Sequence, residues 1–183
     1  TTVENVTVKG DINIKGGDYT SGALAYTRRC VNAKNISVAG NEGSTIEGNK
    51  TIGGVISDIQ MNGGLTADYS NFSVSGLTIK GIRNVGGISG IISSQTLKGA
   101  TVQNVRIESE YTSVGIVSGA KGDNNSFVEN VTYADVTGTD REIGDSYGKD
   151  LKKVSTADEL VEALEANEGV YFLNDIKIDP ANM

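Results

Sequence analysis

Three groups of residues in this 183-residue sequence have the types and spacing to do chemistry. The first is a lone thiol, Cys30, beside Arg28 and Arg29, whose positive charges would favour the thiolate. The second is Lys80 with Arg106 and Glu108, a base beside an acid, as a polysaccharide lyase or glycoside hydrolase of neighbouring chain passes would need. The third is Asp58, Met61, Asp68 and Tyr69, in a stretch longer than its counterparts, where ligand contacts are expected to lie. Each has a plainer reading. For Cys30 the favoured reading is a small buried apolar side chain. Lys80 and Glu108 make an exposed ion pair worth ~0–1 kcal/mol, and Ile59, Met61 and Leu65 form the packed side of an irregular turn. The sequence has no histidine, which removes Ser-His-Asp and Cys-His catalysis and imidazole metal ligation from this segment. No catalytic residue, metal site or cofactor is therefore expected.

The element that must position these groups is a phrase, apolar–x–Asn–apolar–x–apolar, that returns five times. Its marker residues are Asn5, Asn35, Gly76, Asn104 and Asn130, with intervals of 30, 41, 28 and 26 residues. A period of that size means stacked coils, each unable to bury its apolar face without its neighbours. Within a copy, Val105-Arg106-Ile107-Glu108 alternates with period two, as a half-buried strand does. Asn at the marker supplies a left-handed bend, and Gly76 in the same place supports that conformational role. The copies predict that Val6, Ile36, Leu77, Val105 and Val131 share one row, and that Asn5 stacks on Asn35 and Asn104 on Asn130. An outward column Thr7, Ser37, Thr78, Arg106, Thr132 follows, and Arg106 interrupts it, which weakens any ice-binding reading. The long second interval places an excess of about eleven residues within 57–71.

A second marker follows in Gly53-Gly54-Val55-Ile56-Ser57, Val85-Gly86-Gly87-Ile88-Ser89-Gly90 and Val114-Gly115-Ile116-Val117-Ser118-Gly119. Ser21-Gly22-Ala23-Leu24-Ala25 is a weaker first copy and Ile143-Gly144-Asp145 a decayed last one. Glycine there allows close backbone approach at a corner. No Gly-Lys-Ser/Thr follows, so the runs are not phosphate loops. The last two phrases resemble the Gly-Gly-Leu-Val-Gly core of GLUG-type repeats. With Val102-Gln103-Asn104-Val105 and Val128-Glu129-Asn130-Val131 flanking them, residues 73–138 resemble β-helical regions of bacterial surface proteins. These include adhesin-like proteins and the stalks of immunoglobulin A1 protease-like proteins. The resemblance implies a right-handed parallel β-helix, here of about five coils. It also implies a non-catalytic stalk or adhesive module, extracellular or at the cell surface, with host glycans or surface proteins as partners. The zinc peptidase of such proteins is a separate domain whose His-Glu-x-x-His helix is absent here.

Composition agrees. Glycine is abundant (24 residues), proline nearly absent (one), and charged residues make up 21%. The net charge of −7 disfavours nucleic acid, where phosphate neutralisation dominates affinity. No stretch approaches the ~20 apolar residues that span a bilayer, so no membrane insertion is expected. The Thr1-Thr2 start reads as a processed boundary.

The solenoid is assigned to residues 1–138 and a charged linker to 139–153. Residues 154–183 form a helix–strand module. Thr156 with Glu159 makes a capping box, and Ala157, Leu160, Val161 and Leu164 form an apolar stripe. Val170–Leu173 and Ile176–Ile178 read as strands around an Asn174-Asp175 turn. Two roles stay open: the start of a further solenoid, which resemblance to β-helix opening modules favours, or a lid over the last coil.

Overall fold

The computed structural model describes residues 1–28, 32–60, 67–146 and 148–177. Cys30 and Met61 lie outside the described residues. The chain winds as a parallel β-solenoid of about four turns. The first coil holds β1 (Thr2–Gly10), β2 (Asn13–Lys15), β3 (Tyr19–Ser21) and β4 (Leu24–Arg28). The second holds β5 (Asn32–Gly40), β6 (Thr45–Glu47), β7 (Thr51–Gly53) and β8 (Ile56–Gln60). The third comprises β9 (Tyr69–Gly81), β10 (Val85–Gly86) and β11 (Ser89–Ser93), and the fourth β12 (Thr96–Ser109), β13 (Val114–Gly115) and β14 (Ser118–Lys121). A fifth pass, β15 (Phe127–Thr137), completes the first face only. Three parallel faces result: β1-β5-β9-β12-β15 with β2 and β6, then β3-β7-β10-β13, then β4-β8-β11-β14. Ile36, Phe72, Val74, Ile79, Ile52, Val85, Ile59 and Ile92 are all buried in the shared aliphatic core. Val3, Val6, Val8, Val128, Val131 and Val136, on the two outermost passes, are only partly buried.

The register corrects the alignment read from the sequence. Val6, Ile36, Phe72, Ala100 and Val131 share one row, whereas Leu77 pairs with Val105 and Val105 with Val136 in another. Each later pass of the first face bends twice, five residues apart. Asn71 and Gly76, Gly99 and Asn104, and Asn130 and Asp135 all have φ between 51° and 78°. Both bends demand a left-handed residue, and so both attract Asn or Gly. The sequence phrase matched the first bend in three coils and the second in two. Along the first bend, Asn35 follows Asn5 by 30 residues and Asn71 follows Asn35 by 36. The excess in the second interval is thus six residues, and Ser57 to Gln60 belong to a regular strand rather than an insertion.

Asn35 Nδ2 donates to Asn5 Oδ1 and Asn71 Nδ2 to Asn35 Oδ1, each at 3.0 Å, forming an amide ladder on the outer surface. Asn104 stands beside Asp135 instead of Asn130. Replacing Asn35 by alanine forces a Cβ-bearing residue without a polar partner into the left-handed region. A loss of about 1–2 kcal/mol is expected in urea unfolding. Asn35→Gly keeps the bend and should lose under about 1 kcal/mol.

The corner between the second and third faces is set by glycine. A Cβ at Gly53, Gly86 or Gly115 would collide with the carbonyl oxygen three residues on, that of Ile56, Ser89 or Ser118. Leu24 pairs with Ile56 and Ser21 with Gly53, so the weaker first copy falls in register. At the other end Ile143 bridges to Ser118, and Ile116, Val117 and Ser118 donate backbone N–H bonds to Arg141 and Glu142.

Beyond the coils, β16 (Lys152–Val154) pairs in parallel with β17 (Val170–Phe172) across α1 (Ala157–Glu165). Thr156 caps the helix by accepting from the Glu159 N–H, and its own N–H donates to the Glu159 carboxylate to complete the capping box. The stripe is narrower than the sequence suggests. Leu160 and Ala163 are buried with Val154, while Val161 and Leu164 are exposed. Ile176 and Lys177 form no strand, and Ile178 lies outside the described residues.

Candidate functional site

The second and third faces fold toward each other from the glycine corner and enclose a groove of about 620 Å³ on the outer side of the coils. It is lined on the second-face side by Tyr19, Thr51 and Asn84, which occupy successive rungs. On the third-face side it is lined by Asp58, Gln60, Ile91 and Ser93. Alternation aims Ile52 and Val85 inward and so turns Thr51 and Asn84 outward. Gly90 keeps the two walls close, because a Cβ there would lie 2.7 Å from Ile52 N and from the Thr51 methyl. Lys50 Nζ reaches Asp18 at 3.1 Å along the rim.

The far end of the groove is closed by the segment after the coils. Asp150 enters it with its side chain 4% exposed, facing Arg83 Nε at 3.8 Å and accepting from Ser113 Oγ at 3.4 Å. The Arg83 guanidinium lies 4.0 Å above the Tyr111 ring, and its other end faces Glu168 at 3.6 Å. Tyr111 Oη donates to Glu168 Oε1 at 2.5 Å. Burial, with the Glu168 hydrogen bond, raises the Tyr111 hydroxyl above the usual phenol range. These contacts fasten the module containing α1 to the third and fourth coils.

The residues singled out in the sequence scatter. Asp58 is 1% exposed and sits in β8, on the floor of the groove. Tyr69 is fully buried, because the bend at Asn71 shifts the alternation and turns it inward. Its hydroxyl donates to Thr27 Oγ1 at 3.2 Å, and Thr27 Oγ1 donates in turn to the Asp58 carbonyl at 3.1 Å. Asp68 stays at the surface with Lys34 Nζ at 2.7 Å, and that hydrogen bond holds its carboxyl below the usual range. Asp68 and Tyr69 share a shallow depression with Asn32, Thr96 and Lys98, apart from Asp58. Lys80 and Glu108 belong to an exposed column, Lys15, Glu47, Lys80, Glu108, that alternates in sign. Lys15 and Lys80 stand 3.3 and 3.8 Å from Glu47, and Arg106 pairs with Glu108 at 2.5 Å. The outward hydroxyl column is also corrected. It runs Thr7, Ser37, Ser73, Thr101, Thr132, without Arg106.

Sequence reasoning missed Tyr19, Lys50, Gln60, Arg83, Asn84 and Asp150. One signal was available: Thr51, Asn84 and Ser113 each precede the corner glycine by two residues and are each polar.

At a separate turn, Asp123 binds Ser94. Burial alone would raise its carboxyl, but bonds from the Ser94 and Ser126 hydroxyls and from the Ser94 and Asn125 backbone N–H outweigh burial and hold it low. A carboxyl held low in the folded state stabilises above its unfolded value and loses that contribution as pH falls through the folded value. Asp123→Asn should therefore cost about 1–2 kcal/mol at pH 7. The gap from the parent should close below about pH 4, as followed by urea unfolding at stepped pH.

The fold defines the chain as a parallel β-solenoid with a helix-and-strand module at its C-terminal side. Set against family models, curated proteins and solved structures, the sequence matches none of them. Among the described residues no group of three or more Cys, Asp or Glu side chains is placed to hold a metal ion. No described helix is long and apolar enough to cross a membrane.

Proposed function

We propose that this solenoid is a non-catalytic module of a secreted or cell-surface bacterial protein, a stalk segment that also presents a ligand-binding face. The observation that carries the reading is how its charged groups are used. Carboxylates and cations stand in register on successive coils, as in the column Lys15, Glu47, Lys80, Glu108, and serve as mutual partners along the axis. The carboxyl groups of Asp68, Asp123 and Glu159 are each held low by the hydrogen bonds they accept. A general acid needs the opposite shift. The GLUG-like phrases at Val85–Gly90 and Val114–Gly119 support a surface location, with host glycans or surface proteins as partners.

A second reading, a β-helix lyase or glycoside hydrolase, is favoured by one observation. Asp18, Asp58 and Asp150 line a single groove with Lys50 and Arg83. Incubation with acidic and neutral polysaccharides separates the two. The module reading expects neither unsaturated product absorbance nor new reducing ends. Release that Asp58→Asn abolishes would establish the enzyme instead.

A further inference from the structure

We infer that the groove between the second and third faces binds a short neutral oligosaccharide. The inference rests on the adhesive-module reading and names its ligand class. Shape is the first argument. The groove crosses the coils from Tyr19 and Thr51 to Asn84 and Gly122, a run of about 10–15 Å at ~4.8 Å per coil. Its 620 Å³ falls within the range of small-molecule sites.

The lining is the second. At the first coil Tyr19 lines the groove and its ring packs edge-on against that of Tyr26, centroids 5.5 Å apart at 71°. They are 54% and 40% exposed, and so offer aromatic surface to the C–H face of a sugar ring. Tyr26 Oη bonds Gln60 Oε1 at 3.2 Å, which leaves the Gln60 N–H pair for a ligand oxygen. On the floor, Asn84 is 1% exposed and no donor among the described residues reaches its Oδ1. A sugar hydroxyl supplies that donor.

Charge and backbone geometry narrow the class. Three carboxylates line the groove against two cations, and both cations are committed, Lys50 to Asp18 and Arg83 to Asp150 and Glu168. With a net charge of −7 on the chain, an anionic polymer is repelled. A peptide adding as a strand needs an open edge, and β7, β8, β10 and β11 along the groove are paired on both sides, which leaves only the outer edges of β3 and β4 at the first coil.

The test uses the full chain on an array of neutral oligosaccharides of glucan, mannan, galactan and chitin type, with heparin and polygalacturonate as anionic arms. Titration calorimetry then follows any neutral ligand. At least one neutral ligand is expected. Tyr19→Ala and Gln60→Ala should each weaken it at least tenfold with the melting temperature nearly unchanged, and added salt should have little effect. Binding confined to the anionic arms, no neutral ligand at all, or equal affinity in both variants would each overturn the assignment. Slow cleavage of a bound neutral sugar would uphold the groove and overturn the non-catalytic reading on which it was built.

Discussion

Gly86→Ala is expected to destabilise the protein by at least about 3 kcal/mol. At 2–4 °C per kcal/mol, that lowers the melting temperature by roughly 6–12 °C. The new methyl group would strike the Ser89 carbonyl oxygen within its own turn, and would stand 2.5 Å from Gly119 N and 2.8 Å from Ser118 Cα on the next coil. All of these are backbone atoms, so no side chain can swing aside. The next coil has the same arrangement at Gly115 and the previous one at Gly53, and relief at one corner therefore displaces its neighbours. Gly17→Ala is the control. A Cβ there meets nothing within 4 Å, and the change should stay within about 0.5 kcal/mol. Equal midpoints for the two variants in thermal and urea unfolding would refute the corner as described.

The second large effect belongs to Phe72→Ala, for which a loss of about 3–5 kcal/mol is expected. Phe72 is 1% exposed and stands in its row between Ile36 and Ala100. A large ring beside a methyl group fills that layer, and truncation leaves two small residues adjacent. The pair also tests the contact between neighbouring coils. Phe72→Ala with Ala100→Phe restores the ring one rung away, and the double variant should recover part of the loss, a coupling of about 0.5–3 kcal/mol. Losses that simply add would refute the contact between Phe72 and Ala100.

The sequence made the architecture legible and the register misleading, for one reason. Alternation of Val, Ile and Thr reports that a strand is half buried, and a glycine before an apolar pair reports a tight corner. Both are local demands. Asn71 and Gly76 are local demands too, but they are the same demand made twice in one strand. A five-residue slip between them satisfies every local rule while moving Leu77 into a row that belongs to Phe72. That slip created the apparent eleven-residue insertion, and it placed Arg106 in a hydroxyl column where Thr101 stands. Tyr69 stood out in the sequence only because it falls in that apparent insertion, and the parity change at the neighbouring bend turns it inward. The Thr156–Glu159 capping box was legible because its partners are three residues apart. The groove was not, since Asp18, Asp58, Arg83 and Asp150 meet only through the angle between two faces and the return of a distant segment.

The ladders that join the coils run lengthwise, each coil bonded only to the one before and the one after. Tension between the two termini would therefore load one turn at a time, and the protein would yield like tape drawn from a reel. Each turn set free lengthens the tether by about 30 residues of extended chain, on the order of 100 Å. On the proposed stalk reading, that yielding would make the module a shock absorber.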